Sequence, residues 1–131
     1  MVLGKVLIVE NDDRVRETVS LTLMQGGYEI VQAADGVQAI NTMILAETQS
    51  QPIQAVICDL GLPGLSGNEV IAFLRAKLPK LPIIVLTGKP DVRGAVSLFE
   101  QGVVDYLLKP AQSQTLLDSV RRAIDEQALL W

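Results

Sequence analysis

Histidine is absent from the 131 residues, and that omission removes several kinds of chemistry. Without it neither a Ser-His-Asp or Cys-His nucleophile pair nor a His-ligated zinc site can be assembled. The chain also cannot itself carry a phosphohistidine. There is one cysteine, Cys58, so no intrachain disulfide can form, and an intracellular, cytoplasmic setting is expected. Aromatic residues make up 4%, which leaves few stacking platforms for single-stranded nucleic acid and requires an aliphatic core. No apolar run approaches the ~18 residues of a transmembrane helix. The opening Met1-Val2-Leu3-Gly4-Lys5 lacks the layout of a signal peptide. A net charge of −4 and a pI near 4.7 oppose non-specific binding to nucleic acid or to an anionic membrane. Any acid–base or metal chemistry must therefore come from carboxylates, amides, hydroxyls, lysine or arginine.

What is present is a folded globule's composition, 49% hydrophobic, at a length that suggests one domain over 1–131. Short β-branched runs alternate with longer stretches of helical period, which is the signature of repeated βα units. Strands are expected near 5–9, 28–33, up to Asp59, over 83–87 and over 104–108. Helices are expected from Val15, Val19 and Leu23 to a stop at Gly26-Gly27, then over 37–47, 68–77, 92–101 and 113–128. The second helix is expected to bury Ala39, Ile40, Met43 and Ile44, and the third Val70, Ile71 and Leu74. In the last, Leu116, Val120, Ala123 and Ile124 should face inward. A polar connection broken by Pro52 fills 48–54. Strands one, three and four lack clean alternation, as fits strands covered on both faces. Five such units imply an α/β fold with a doubly wound, five-stranded parallel sheet, flavodoxin-like, in order 2-1-3-4-5 with right-handed crossovers.

Four of the strand ends carry a chemical group. Glu10-Asn11-Asp12 follows Val6-Leu7-Ile8-Val9. Asp59 closes Ala55-Val56-Ile57-Cys58. Thr87 ends Ile83-Ile84-Val85-Leu86, and Lys109-Pro110 follows Tyr106-Leu107-Leu108. In a parallel sheet these groups meet at one edge, where ligands bind in open α/β folds. Taken singly each has an ordinary explanation. Asp59 could cap a turn, the acidic run could cap the first helix, Thr87 could be a plain strand residue, and Lys109 could be a solvated surface side chain. Together they form a site suited to a metal ion and a phosphoryl group.

These motifs, with Leu62-Pro63-Gly64 and Gly67 after Asp59, Leu86-Thr87-Gly88 and Asp105-Tyr106-Leu107-Leu108-Lys109-Pro110, resemble the receiver domain of two-component response regulators over essentially the full length. The resemblance implies that Asp59 accepts a phosphoryl group from a phosphohistidine on a sensor histidine kinase or phosphotransfer protein. It implies a Mg²⁺ ion held by Asp59, Glu10, Asn11 and the carbonyl of Gly61, with Lys109 pairing with Asp59 and then with the phosphoryl oxygens. Thr87 would bond the phosphoryl group, and Tyr106 would move inward as Thr87 shifts. That movement alters the face of helix four, strand five and helix five, through which a homodimer could also form. No turnover of an external substrate is implied.

One departure bears on the chemistry. The second member of the acidic pair is Asn11 where the family has Asp, so Mg²⁺ binding is expected to be weaker than usual, with Asp12 near enough in sequence to compensate in part. Two competitors remain. A phosphorylation-independent protein-binding module has Asn11 as its support. A phosphatase with an Asp nucleophile would need a second Asp two residues on, where Gly61 stands. A nucleotide-binding reading lacks the Gly-rich loop after strand one. No DNA-binding segment is seen and the output target is not legible. Trp131 is far in sequence from every site residue and is not expected to report metal binding.

Overall fold

The computed structural model describes residues 2–48 and 52–129. The expected connection over 48–54 therefore lies partly outside the described residues, and Trp131 lies wholly outside them. Five strands and five helices alternate: β1 (Lys5–Val9), α1 (Asp13–Gln25), β2 (Glu29–Ala33), α2 (Gly36–Ala46), β3 (Ala55–Asp59), α3 (Gly67–Lys77), β4 (Ile83–Thr87), α4 (Val92–Glu100), β5 (Val103–Leu108) and α5 (Ser113–Leu129). The strands pair in parallel in the order β2-β1-β3-β4-β5.

The apolar runs are continuous because each central strand feeds two cores. Leu7 and Val9 of β1, Val56 and Cys58 of β3, and Val85 of β4 pack on one face against Ala39 and Met43 of α2, Val70, Ile71 and Leu74 of α3, and Leu98 of α4. Val6 and Ile8, Ala55 and Ile57, and Ile84 and Leu86 pack on the other face against Val19 and Leu23 of α1 and Leu116, Val120 and Ala123 of α5. Burial of these aliphatic side chains, each contributing ~1.5–3 kcal/mol, is the main force behind the layers.

Helix starts follow their caps. Asp12 caps α1, accepting the N–H groups of Arg14 and Val15, and Asp35 caps α2 by accepting that of Gln38. Ser66 caps α3 in a reciprocal pair with Glu69. These caps start α2 and α3 at Gly36 and Gly67, one residue before the expected positions. β2 begins at Glu29, since the N–H of the buried Tyr28 turns back to the carbonyl of Leu23. α4 ends at Glu100 and β5 begins at Val103, each one residue from expectation.

The inward face of α2 corrects the sequence expectation. Its buried stripe is Gly36, Ala39, Met43 and Ala46. Small residues let the helix lie close to the sheet, and that rotation leaves Ile40 half-buried and Ile44 50% exposed. Ile124 of α5 is likewise only partly buried.

Candidate functional site

Parallel pairing brings the chemical groups to one edge. Val9 pairs with Cys58, Asp59 with Leu86 and Thr87 with Leu108, so Glu10, Asp59, Thr87 and Lys109 stand at the C-terminal ends of β1, β3, β4 and β5. Glu10, Asp59 and Thr87 are 2%, 5% and 3% exposed. Carboxylates this deep require charge or hydrogen-bond compensation. Lys109 provides it: its Nζ contacts Oε1 of Glu10 and lies 3.3 Å from Oδ2 of Asp59. The lysine is itself positioned by its main-chain N–H, which donates to the carbonyl of Thr87 at 2.8 Å. The Lys109–Pro110 bond is cis.

The remaining carboxylate oxygens are bound to main chain. Oε2 of Glu10 accepts the N–H of Asp12 at 3.0 Å, and Oδ1 of Asp59 accepts that of Gly61 at 3.0 Å. Thr87 Oγ1 accepts the N–H of Lys89 at 3.1 Å. Burial pushes the Glu10 carboxyl above its ordinary value. Lys109 and the Asp12 N–H oppose this, and the charge of Asp59 adds to it. For Lys109 burial acts downward, but Glu10 and Asp59 outweigh it, and the ammonium is held above its usual range. Cys58, beside Asp59 and fully buried, has its thiol pushed up by burial and is no nucleophile.

The donor set suits Mg²⁺. Two carboxylates face one ammonium, leaving an excess negative charge, and every available ligand is a hard oxygen. No group of three or more His, Cys, Asp or Glu side chains able to hold a metal forms among the described residues. Mg²⁺ does not need one, since it commonly takes one or two carboxylates and completes its octahedron with waters. Asn11 is exposed, and no hydrogen bond engages its side chain among the described residues. Asp12, expected to compensate in part, caps α1 through Oδ1.

Tyr106 is engaged with α4 and the residue before it. Its hydroxyl accepts the N–H of Asp91 at 3.3 Å, and its ring lies 6.5 Å from that of Phe99. The sequence reading missed Arg16, whose Nη1 donates to the main-chain carbonyl of Glu10 at 2.9 Å. The one cue available was an arginine one turn inside a helix that follows an acidic strand end. A cavity of about 610 Å³ opens at the opposite edge of the sheet, lined mostly by apolar groups including Met43, Ile53, Leu78 and Leu81.

Against known proteins, the family model described as response regulator receiver domain matches residues 6–121. The chain is 39% identical over 119 residues to the response regulator protein FleR of Pseudomonas aeruginosa, covering 91% of this chain and 24% of that protein. It is 36% identical over 117 residues to the response regulator MprA of Mycobacterium sp., covering 89% of this chain and 49% of that one. The chain thus spans about a quarter to a half of these relatives' length. Among solved structures, a response regulator receiver domain protein from Clostridium thermocellum superposes with TM-score 0.88 at 27% identity, covering 98% of this chain and 100% of that one. A structure described as that of a putative response regulator from Chloroflexus aurantiacus superposes with TM-score 0.82 at 35% identity, covering 93% and 98%.

Proposed function

The chain belongs to the response regulator receiver domain family, and from that premise we propose that it is a phosphoryl-accepting switch with Asp59 as the acceptor. The observation that carries the proposal is the Lys109 ammonium shared between the buried carboxylates of Glu10 and Asp59. A carboxylate held beside a cation at the mouth of the sheet is a nucleophile whose product, an acyl phosphate, has a positive charge waiting for it.

In the forward step an Asp59 carboxylate oxygen attacks the phosphorus of a partner's phosphohistidine. The P–O bond forms as the P–N bond breaks, and the imidazole nitrogen leaves with the electron pair and takes up a proton. Lys109 neutralises the incoming oxygens, and the Thr87 hydroxyl turns from the Lys89 N–H to bond one of them. Asp59, Glu10, Asn11 and the Gly61 carbonyl would hold Mg²⁺, which would supply further neutralisation of charge on the transferring group. Hydrolysis returns the carboxylate when water attacks phosphorus and the P–O bond to Asp59 breaks. The domain turns over no external substrate.

The switch is a population shift: the added charge is satisfied in only one arrangement of Thr87 and Tyr106. Inward movement of Tyr106 gives up its bond to the Asp91 N–H and frees the start of α4. The target face is α4, β5 and α5, which exposes Val92, Val96, Phe99, Val104 and Leu108. A target or output domain, or a second copy of the chain, docks there. The phosphoryl donor is a sensor histidine kinase or phosphotransfer protein of the cytoplasm. Among the described residues no helix is long and apolar enough to cross a membrane.

The test is intact mass after incubation with acetyl phosphate and Mg²⁺, for the parent and for Asp59→Asn. A gain of one phosphoryl group in the parent alone, lost at alkaline pH, is the expected result. No gain at high Mg²⁺ would overturn the proposal in favour of a phosphorylation-independent module.

A further inference from the structure

We infer that Arg16 is a positioning residue for the acidic turn after β1 and that the turn's ability to take Mg²⁺ depends on it; the inference rests on the metal-site reading above. Its side chain is 17% exposed and reaches both the turn that joins β1 to α1 and the neighbouring strand β2. Nη1 donates to the Glu10 carbonyl at 2.9 Å, Nη2 to Oδ1 of Asp13 at 2.6 Å, and Nε to Oε1 of Gln32 on β2 at 3.1 Å. A planar fork can span these acceptors at once, and a lysine ammonium cannot.

Arg16 is one of four contacts that hold Glu10. The Glu10 N–H donates to Ala33, its carbonyl accepts from Arg16, Oε2 accepts from Asp12 and Oε1 meets Lys109. The consequence for the rest of the turn is selection. Asp12 is used by the α1 cap and Asp13 by Arg16, so Asn11 is the residue of the three whose side chain the turn leaves free. Arg16 thus fixes the frame from which Glu10 and Asn11 act.

A bare charge effect has the opposite sign. A cation near a metal site weakens metal binding, and its removal would strengthen it. Asp13, at 2.6 Å, offsets part of that charge, and the simultaneous bonds to Glu10 and Gln32 make positioning the larger effect. Residues that hold ligands in place typically change metal affinity by ~10–100-fold when removed.

The experiment is titration with MgCl₂, followed by the backbone amide resonances of Asp12 and Gly61, for the parent, Arg16→Met, Arg16→Lys and Arg14→Met. Arg14 is exposed on the same turn and serves as the charge control. Positioning requires Arg16→Met and Arg16→Lys both to bind Mg²⁺ about tenfold more weakly, with Arg14→Met close to the parent. Equal or tighter binding by Arg16→Met would overturn the inference, as would a lowered unfolding midpoint with unchanged affinity, which is the mark of a merely structural residue. Amide exchange without metal provides the second readout. Loss of protection at Asp12 in Arg16→Met but not Arg14→Met supports the role, and unchanged protection sinks it. A parent that binds no Mg²⁺ would overturn the metal-site reading, and the exchange result would still decide whether Arg16 holds the turn.

Discussion

Gly67 lies against the main-chain carbonyl of Asp59 with no room for a side chain between them: a β-carbon there would overlap that oxygen and stand 2.6 Å from the Cα of Leu60. The first residue of α3 and the last of β3 are thus locked together, and the acceptor's backbone takes its position from a glycine. Helix propensity favours alanine by ~1 kcal/mol, yet the obstructing atoms are backbone and cannot rotate away. Gly67→Ala is expected to destabilise the protein by about 1–3 kcal/mol and to slow phosphorylation by acetyl phosphate. Urea unfolding checks the first effect, and a variant as stable as its parent would contradict the packing argument.

Two carboxylates sharing one ammonium make the site's charge unbalanced, so removing a negative and removing the positive group should act in opposite directions. Burial raises the Glu10 carboxyl, against Lys109 and the Asp12 N–H. A folded pKa above the unfolded one means that this group favours folding fully below its unfolded value, and that the contribution is lost as pH rises through the folded pKa. Glu10→Gln therefore gains stability relative to the parent as pH rises above the ordinary carboxylate value, measured in EDTA. Lys109→Met leaves Glu10 and Asp59 without a cation and is expected to lose about 3 kcal/mol, the low end for a broken buried pair because the lysine side chain is 21% exposed. Added Mg²⁺ should recover much of that loss. A stability difference for Glu10→Gln that does not grow with pH would refute the sign.

Asn11 contributes an amide oxygen where a carboxylate would add a full charge. Asp12 lies next to it, with Oδ1 engaged in the α1 cap. Asn11→Asp is expected to bind Mg²⁺ about tenfold more tightly, as read by isothermal titration. Equal affinities would mean that Asn11 is not part of the ligand set.

Much of this was legible in the chain. β1, β3 and β4 announce themselves as unbroken aliphatic runs, each stopping at a polar residue, and parallel order alone then carries Glu10, Asp59 and Lys109 to one edge. What was not legible depends on rotation and on side-chain direction. Ile40 and Ile44 have the right spacing to be buried, but α2 turns its small residues to the sheet instead. That Asp12 caps α1 and that Arg16 reaches back to the Glu10 carbonyl depends on how the first turn of α1 is set. The same limit applies to Tyr106, whose place on β5 was evident but whose bond to Asp91 depends on where α4 begins.

Arg75 holds the other end of that helix. From α3 its Nε donates to the Gln101 carbonyl at 2.8 Å and Nη2 to that of Gly102 at 3.1 Å, while Nη1 donates to Pro79 at 2.5 Å and Leu78 at 3.4 Å. The guanidinium clasps the C-terminal ends of α3 and α4, where unpaired carbonyls and the helix dipoles both favour a cation. α4 has little else to hold it: Leu98 is its one buried residue, and its N-cap Asp91 makes no side-chain bond. Arg75→Met is expected to cost about 1–2 kcal/mol of global stability and to raise amide exchange in α4 well beyond that in β1 and β3. Arg75→Lys should fall between, because an ammonium can serve one helix end but not bridge both. Hydrogen exchange that rises uniformly over the sheet and α4 together would show that the clasp stabilises the fold as a whole and does not fix α4 in particular.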